Sequence, residues 1–208
     1  MTMSELIVEQ TPHEASSDHG HASVQARAEN LKLAMWLYLG SEIIIFSVLI
    51  GAYLVFRLNY PELVRAAQES INVGLVGLNT FLLLGSSWAM VMGLLNIQRG
   101  NQAGLVRYIS LTALLGTVFV VLQGVEYTEL AHHGIAVYGN EFGMRFYAMT
   151  AFHGFHVIIG VLWALFVVFN ARRGGYSAGN YAGVEVFGLY WHFVDVVWIF
   201  LFTFIYLF

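Results

Sequence analysis

The sequence predicts an all-α integral membrane protein: a bundle of five transmembrane helices, N-terminus cytoplasmic and C-terminus outside. Three observations predict it. Of the 208 residues, 58% are hydrophobic and only 11% are charged, against about a quarter charged in an ordinary soluble domain. The apolar residues fall in long continuous runs instead of alternating, which argues for helices over transmembrane strands. Each run is near or above the ~20 residues that a helix needs to cross the hydrocarbon core.

The runs follow one another between charged boundaries. Residues 1–32 are polar and are expected to form a mobile cytoplasmic tail, leaving 33–208 as the transmembrane domain. In the tail, Glu5, Glu9, Glu14 and Asp18 have the wrong sign for the leading region of a signal peptide, so no cleavable signal is expected. The first span is placed at about 33–56, where Glu42 is the single charged residue. The second, about 72–97, lies in the charge-free stretch between Glu69 and Arg99. The third, about 107–128, is apolar from Ile109 to Val125 between Arg107 and Glu126. The fourth, about 145–170, carries His153 and His156 but no Asp, Glu, Lys or Arg between Arg145 and Arg172. The fifth, about 184–207, begins at Glu185 and contains His192 and Asp195.

Five spans put the tail and the loops after spans two and four on one side, with Arg27, Lys32, Arg99, Arg107, Arg172 and Arg173. The other side holds Arg57, Arg65 and Arg145. The excess of positive charge on the first side gives the predicted orientation.

Composition also excludes chemistry. With no cysteine there are no disulfides, thiolate metal sites or iron–sulfur clusters. A net charge of −4 gives no reason to expect nucleic acid. Small residues recur four apart at Gly85, Ala89 and Gly93, at Ser47 and Gly51, and at Gly160 and Ala164. Such stripes let helix backbones approach closely in lipid, although Gly and Ala are also simply common in membrane helices.

Five intramembrane polar residues carry the functional question, because each costs about 2.5–3.5 kcal/mol at the centre of a span. His192 and Asp195 are i and i+3 and share a helix face. Paired, they would either shuttle protons or align helices as an inert pair. His153 and His156 have the same spacing. Ligation of haem or metal would need a second helix, for which His192 is the candidate; hydrogen bonding across helices, with Gly154 allowing close approach, is the preferred alternative. Glu42 marks either an ion path or an anchor for a lipid headgroup or a neighbouring helix. Outside these five, Glu126, Glu129, His132 and His133 form either a surface metal site or, preferably, a solvated helix end. His13, His19 and His21 in the tail offer loose metal ligands against the preferred reading of a solvated segment.

Four stretches taken together, "SEIIIF" (41–46), "LQGVEY" (122–127), "AFHGFHVIIG" (151–160) and "YWHFVDVVWIFLF" (190–202), resemble subunit III of the haem-copper terminal oxidases, the cytochrome c oxidase subunit III family, in its short five-helix bacterial form. The match runs in order from about residue 33 to the C-terminus. The resemblance implies a multi-pass subunit of the bacterial cytoplasmic membrane, packed mainly on catalytic subunit I and associated with subunit II. It implies an accessory, non-redox part in a proton-translocating oxidase: no catalytic residue, metal or haem in this chain, with haem and copper in the partner subunits and phospholipid bound in a cleft. Glu42 falls on the family's carbodiimide-reactive buried carboxylate. His153, His156, His192 and Asp195 become structural polar positions, and metal ligation by them recedes. Longer members have seven spans and this chain lacks the first two, so the cleft is expected to be looser or completed by another subunit.

The wording "YWHFVDVVW" points to an aa3-type cytochrome c oxidase, whose electron donor meets other subunits. A bo3-type quinol oxidase and an accessory subunit of a nitric oxide reductase are the alternatives within reach of the resemblance. A proton-coupled transporter, a different class, would show an internal repeat and helices broken at mid-membrane. No repeat is visible, and Pro12 and Pro61 both lie outside the spans.

Overall fold

A computed structural model describes residues 12–69, 71–138 and 140–208, with side chains from residue 26 onward. The described chain is helical and contains five helices long and apolar enough to cross a membrane. They are α1 (Pro12–Asn59), α3 (Val73–Gln98), α4 (Gln102–His132), α5 (Glu141–Arg172) and α6 (Ala182–Leu201), the last continued by a wider π-helical turn, Phe202–Leu207. A short helix α2 (Pro61–Gln68) follows α1.

Local chemistry sets the ends. Tyr60, turned out of the helical region before Pro61 (φ −132°, ψ 56°), stops α1, and Pro61 starts α2 at the position where a missing N–H costs nothing. Helices α3, α4 and α5 each begin at an asparagine whose side-chain oxygen accepts a backbone N–H three residues on: Asn72 from Leu75 at 3.1 Å, Asn101 from Gly104 at 3.0 Å and Asn140 from Gly143 at 2.9 Å. The same three helices end on glycines with positive φ, Gly100, Gly134 and Gly174, the left-handed conformation that closes a helix without steric cost.

The spans are longer than the sequence predicted at most ends. The extension is largest in α1, whose backbone is helical from Pro12 through much of the expected polar tail; residues 22–32 supply Ala22, Gln25, Ala26, Arg27, Ala28, Glu29 and Leu31, nearly all strong helix formers. The side chains of His13, His19 and His21 lie outside the described residues. Helix α2 carries Val64 and Ala67 on its buried side; at two turns it is too short to register as an apolar run.

Helices α3, α4 and α5 pack in sequence as antiparallel neighbours. α6 returns against α3 and α5, and α1 lies on the outer side of α6 and α5. The close-packing stripes are confirmed in part. A Cβ on Gly93 would stand 2.8 Å from Ile109, and one on Gly160 would stand 2.6 Å from Trp191. Gly51 meets no neighbour within 4 Å; with Ser47 it instead lines an apolar groove between α1 and α6. Gly154 likewise has open space, so the expected close approach at that glycine does not occur.

Candidate functional site

The polar groups of the membrane interior fall into three sets, each organised by α6 or α5. The first joins α1 to α5. Glu42, near the middle of its span, places Oε2 3.4 Å from His156 Nε2, and both side chains are buried. His156 Nδ1 donates to the Phe152 carbonyl at 2.8 Å, so the proton on that nitrogen is committed. Contact with Glu42 then has two forms: a neutral Nε2 accepting from a protonated carboxyl, or an imidazolium facing a carboxylate. Phe46 and Phe152 present edges to the ring at centroid distances of 5.4 and 4.8 Å. Tyr190 of α6 donates to the His156 carbonyl at 2.9 Å.

The second set joins α3 to α6. Trp191 Nε1 donates to Ser86 Oγ at 3.0 Å, and the next residue on each helix repeats the link, His192 Nδ1 lying 2.6 Å from Ser87 Oγ. The expected His192–Asp195 pair is not formed. His192 uses Ser87, and neither carboxylate oxygen of Asp195 has a hydrogen-bond partner among the described residues. Spacing of i and i+3 puts two side chains on one face but some 60° apart. Here that rotation leaves His192 at the rim of the interface and Asp195 buried inside it.

One turn further, Trp198 Nε1 donates to Thr80 Oγ1 at 2.9 Å. His153 lies over this indole, with ring centroids 5.0 Å apart and planes at 27°, and Phe119 closes on it edge-on at 5.9 Å. Neither ring nitrogen of His153 has a partner among the described residues. His153 therefore acts as a packed aromatic ring, not as the cross-helix hydrogen bonder expected. The three intramembrane histidines face Trp198, Glu42 and Ser87 respectively, and do not converge. Among the described residues no group of three His, Asp or Glu side chains is placed to hold a metal ion.

The third set was missed by sequence reasoning. Glu126 is buried at 3% exposure, not solvated. Its Oε2 accepts from Gln123 Nε2 at 2.5 Å and from the Tyr206 hydroxyl at 3.3 Å, while Oε1 is unpaired. The signal was present: Thr112, Gly116, Phe119, Gln123, Glu126 and Leu130 follow one another at helical spacing on the buried face of α4. Glu129, His132 and His133, off that face, are exposed as expected. Tyr206 reaches Glu126 from the π-helical turn, and the free carbonyls there are capped by side chains from the far end of α1 and from α2: Arg57 donates to Phe204 O at 3.1 Å and Gln68 to Ile205 O at 2.8 Å.

Comparison with known proteins places this arrangement. The family model for cytochrome c oxidase subunit III matches residues 5–208. The chain belongs to the cytochrome c oxidase subunit III family. It is 37% identical over 205 residues to a cytochrome c oxidase subunit 3 of Synechocystis sp., covering 98% of this chain and 84% of that protein. It is 36% identical over 191 residues to a cytochrome c oxidase subunit 3 of Thermostichus vulcanus, covering 91% of each. It is 33% identical over 196 residues to a quinol oxidase subunit 3 of Bacillus subtilis, covering 94% of this chain and 92% of that protein. This member of the subunit III family is thus a subunit of a haem-copper terminal oxidase and a multi-pass protein of the cell membrane. Its relatives include both cytochrome c and quinol oxidase subunits, so family membership leaves the electron donor open.

Proposed function

We propose that this chain is subunit III of an aa3-type cytochrome c oxidase, a non-redox subunit that packs on catalytic subunit I, holds phospholipid, and supports proton uptake and stability during electron transfer to dioxygen. The observation that carries this reading is how the buried polar groups are used. Glu42 meets His156, Ser87 meets His192, Ser86 meets Trp191 and Thr80 meets Trp198. Each contact ties one helix to another. Axial ligation of a haem would instead need two donors aimed at one point. The groove between α1 and α6, with a volume of about 520 Å³ and lined by Ile43, Phe46, Ile50, Phe193, Val196 and Phe200, suits an acyl chain. Haem and copper belong to the partner subunits in this reading, and the Lys and Arg distribution favours a cytoplasmic N-terminus.

The higher identity to the Synechocystis cytochrome c oxidase subunit favours cytochrome c as donor; a bo3-type quinol oxidase is the second reading, supported by the Bacillus subtilis relative. Affinity purification through a tag on this chain tests both. The expected preparation contains subunits I and II and bound phospholipid, and consumes oxygen with reduced cytochrome c. Oxygen consumption with quinol alone overturns the donor, and a chain that purifies without haem-copper partners overturns the assignment.

A further inference from the structure

A groove of about 250 Å³ enters the bundle between α1, α3 and α6. Lys32 and Glu185 lie at its outer end, Nζ to Oε2 2.6 Å. Trp36, Met90 and Leu94 form its walls, and His192, two turns deeper into α6 than Glu185, lies at its inner end. Beyond His192, Ser87 Oγ is 2.6 Å from Nδ1, and Asp195 stands one turn further along α6 on its buried face. No hydrogen bond is closed between Ser87 and Asp195, whose two oxygens are buried without partners among the described residues.

We propose that His192, Ser87 and Asp195 form a proton-loading relay fed through this groove, with Asp195 as the store. A serine hydroxyl holds one proton and two lone pairs, so it accepts from one neighbour while donating to another. In the empty state Nδ1–H of His192 donates to Ser87 Oγ and the Ser87 hydroxyl donates to the Asp195 carboxylate. A proton from water in the groove binds His192 Nε2. The Nδ1 proton passes to Ser87 Oγ, and the former Ser87 proton passes to Asp195. One proton has entered and one is stored. Ser87 again carries a single proton, now donated to Nδ1, and Asp195–OH donates to Ser87 Oγ. Completing the chain requires Ser87 Oγ and the Asp195 carboxyl to close a hydrogen bond.

A purely structural role explains less. Ser86 and Trp191 already pin α3 to α6 one residue away, and an anchor gains nothing from a neighbouring carboxyl with both oxygens unpaired, which costs free energy in a dry interior. The other titratable groups around α6 are Lys32 and Glu42 from α1, His153 and His156 from α5, Glu126 from α4 and Glu185 on α6 itself; α3 carries none. Glu42 Oε2 faces His156 at 3.4 Å without closing a hydrogen bond, Glu185 pairs with Lys32, and Glu126 accepts from Gln123 and Tyr206. Among the described residues Asp195 is the carboxyl with both oxygens buried and unpaired.

The inference deepens the proposed role in proton uptake and rests on that reading for its purpose, but its test needs neither electron donor nor turnover, so a wrong donor assignment would leave the result intact. Infrared difference spectra of the purified complex are compared between wild type and Asp195→Asn over the pH range in which the complex is stable. Loss of a carboxylic-acid C=O band in Asp195→Asn is expected; no such loss at any pH overturns the proposal. That band is expected to shift promptly when wild type is transferred to D2O, an order of magnitude more slowly in Ser87→Ala, and promptly again in Ser87→Thr. Exchange at the wild-type rate in Ser87→Ala overturns the relay. Should that variant fail to assemble, His192→Phe gives the same comparison, with slowed exchange expected and an unchanged rate overturning the proposal.

Discussion

Glu42 Oε2 stands 3.4 Å from His156 Nε2, joining the middle of α1 to the middle of α5. Between Lys32–Glu185 towards one end and Arg57–Phe204 O at the other, this is the polar contact at mid-span, among the described residues, of a helix whose remaining surface, with Trp36, Leu37, Ile44, Val48 and Val55, is largely exposed apolar side chain. Glu42→Gln keeps a hydrogen-bonding group opposite Nε2 and should cost no more than about 1 kcal/mol. Glu42→Leu leaves a buried imidazole facing hydrocarbon and should cost about 3–5 kcal/mol. Thermal inactivation of the purified complex, with the yield of this subunit as a second readout, distinguishes the two. Equal losses in both variants would mean that the carboxyl's charge, not its capacity to hydrogen-bond, matters.

Trp191 predicts a contrast among glycines. A Cβ on Gly116 and one on Gly160 would each come within 2.6 Å of the same indole ring, so α4 and α5 together form a slot that only glycine leaves open. Gly160→Ala should destabilise by about 1–3 kcal/mol through overpacking. Gly154→Ala, six residues earlier on the same helix and facing open space, should be neutral or slightly stabilising because Ala is the better helix former. Unfolding of the complex monitored by circular dichroism checks both.

Glu126 and Tyr206 predict a coupled pair. Tyr206→Phe removes one donor to a buried carboxyl and Glu126→Gln changes the acceptor; because they share one hydrogen-bonded group, their effects should not add. A double-mutant cycle should give an interaction energy of about 0.5–3 kcal/mol. A cycle that closes to zero would mean that the π-helical turn is held instead by Arg57 and Gln68, which cap its carbonyls.

The spans were legible because the bilayer imposes one strong rule on sequence: long uninterrupted apolar runs, ended by charge. Glu42 and His156 were legible as costly groups needing partners, but periodicity does not say which helix supplies the partner. The same limit explains the error at His192. Shared face suggested Asp195, whereas the closer group, Ser87, comes from a helix 105 residues away in sequence and is too ordinary a residue to single out. Glu126 was misread because it ends an apolar run, and a charged residue there is usually solvated. Here the buried stripe of α4 continues one turn past it to Leu130, and the C-terminal turn folds over it to bring Tyr206. That cover depends on residues 80 positions later and leaves no local trace.

Orientation gives the last prediction. Six of the nine basic residues lie on the side that holds the N-terminus and the α3–α4 and α5–α6 loops, and the positive-inside rule predicts that side to be cytoplasmic. The absence of cysteine from the chain makes a clean test available, since a single introduced thiol is then the only reactive one in this subunit. Tyr138, 89% exposed in the α4–α5 connection, and Gly179, exposed in the α5–α6 connection with no neighbour within 4 Å of its Cβ position, lie on opposite sides of the bundle. Both accept a small polar side chain without repacking. A membrane-impermeant maleimide applied to intact cells should label Tyr138→Cys and leave Gly179→Cys untouched until the membrane is opened. The reverse pattern would put Lys32, Glu185 and the mouth of the groove leading to His192 on the outer surface, and with them the side from which Asp195 takes its proton.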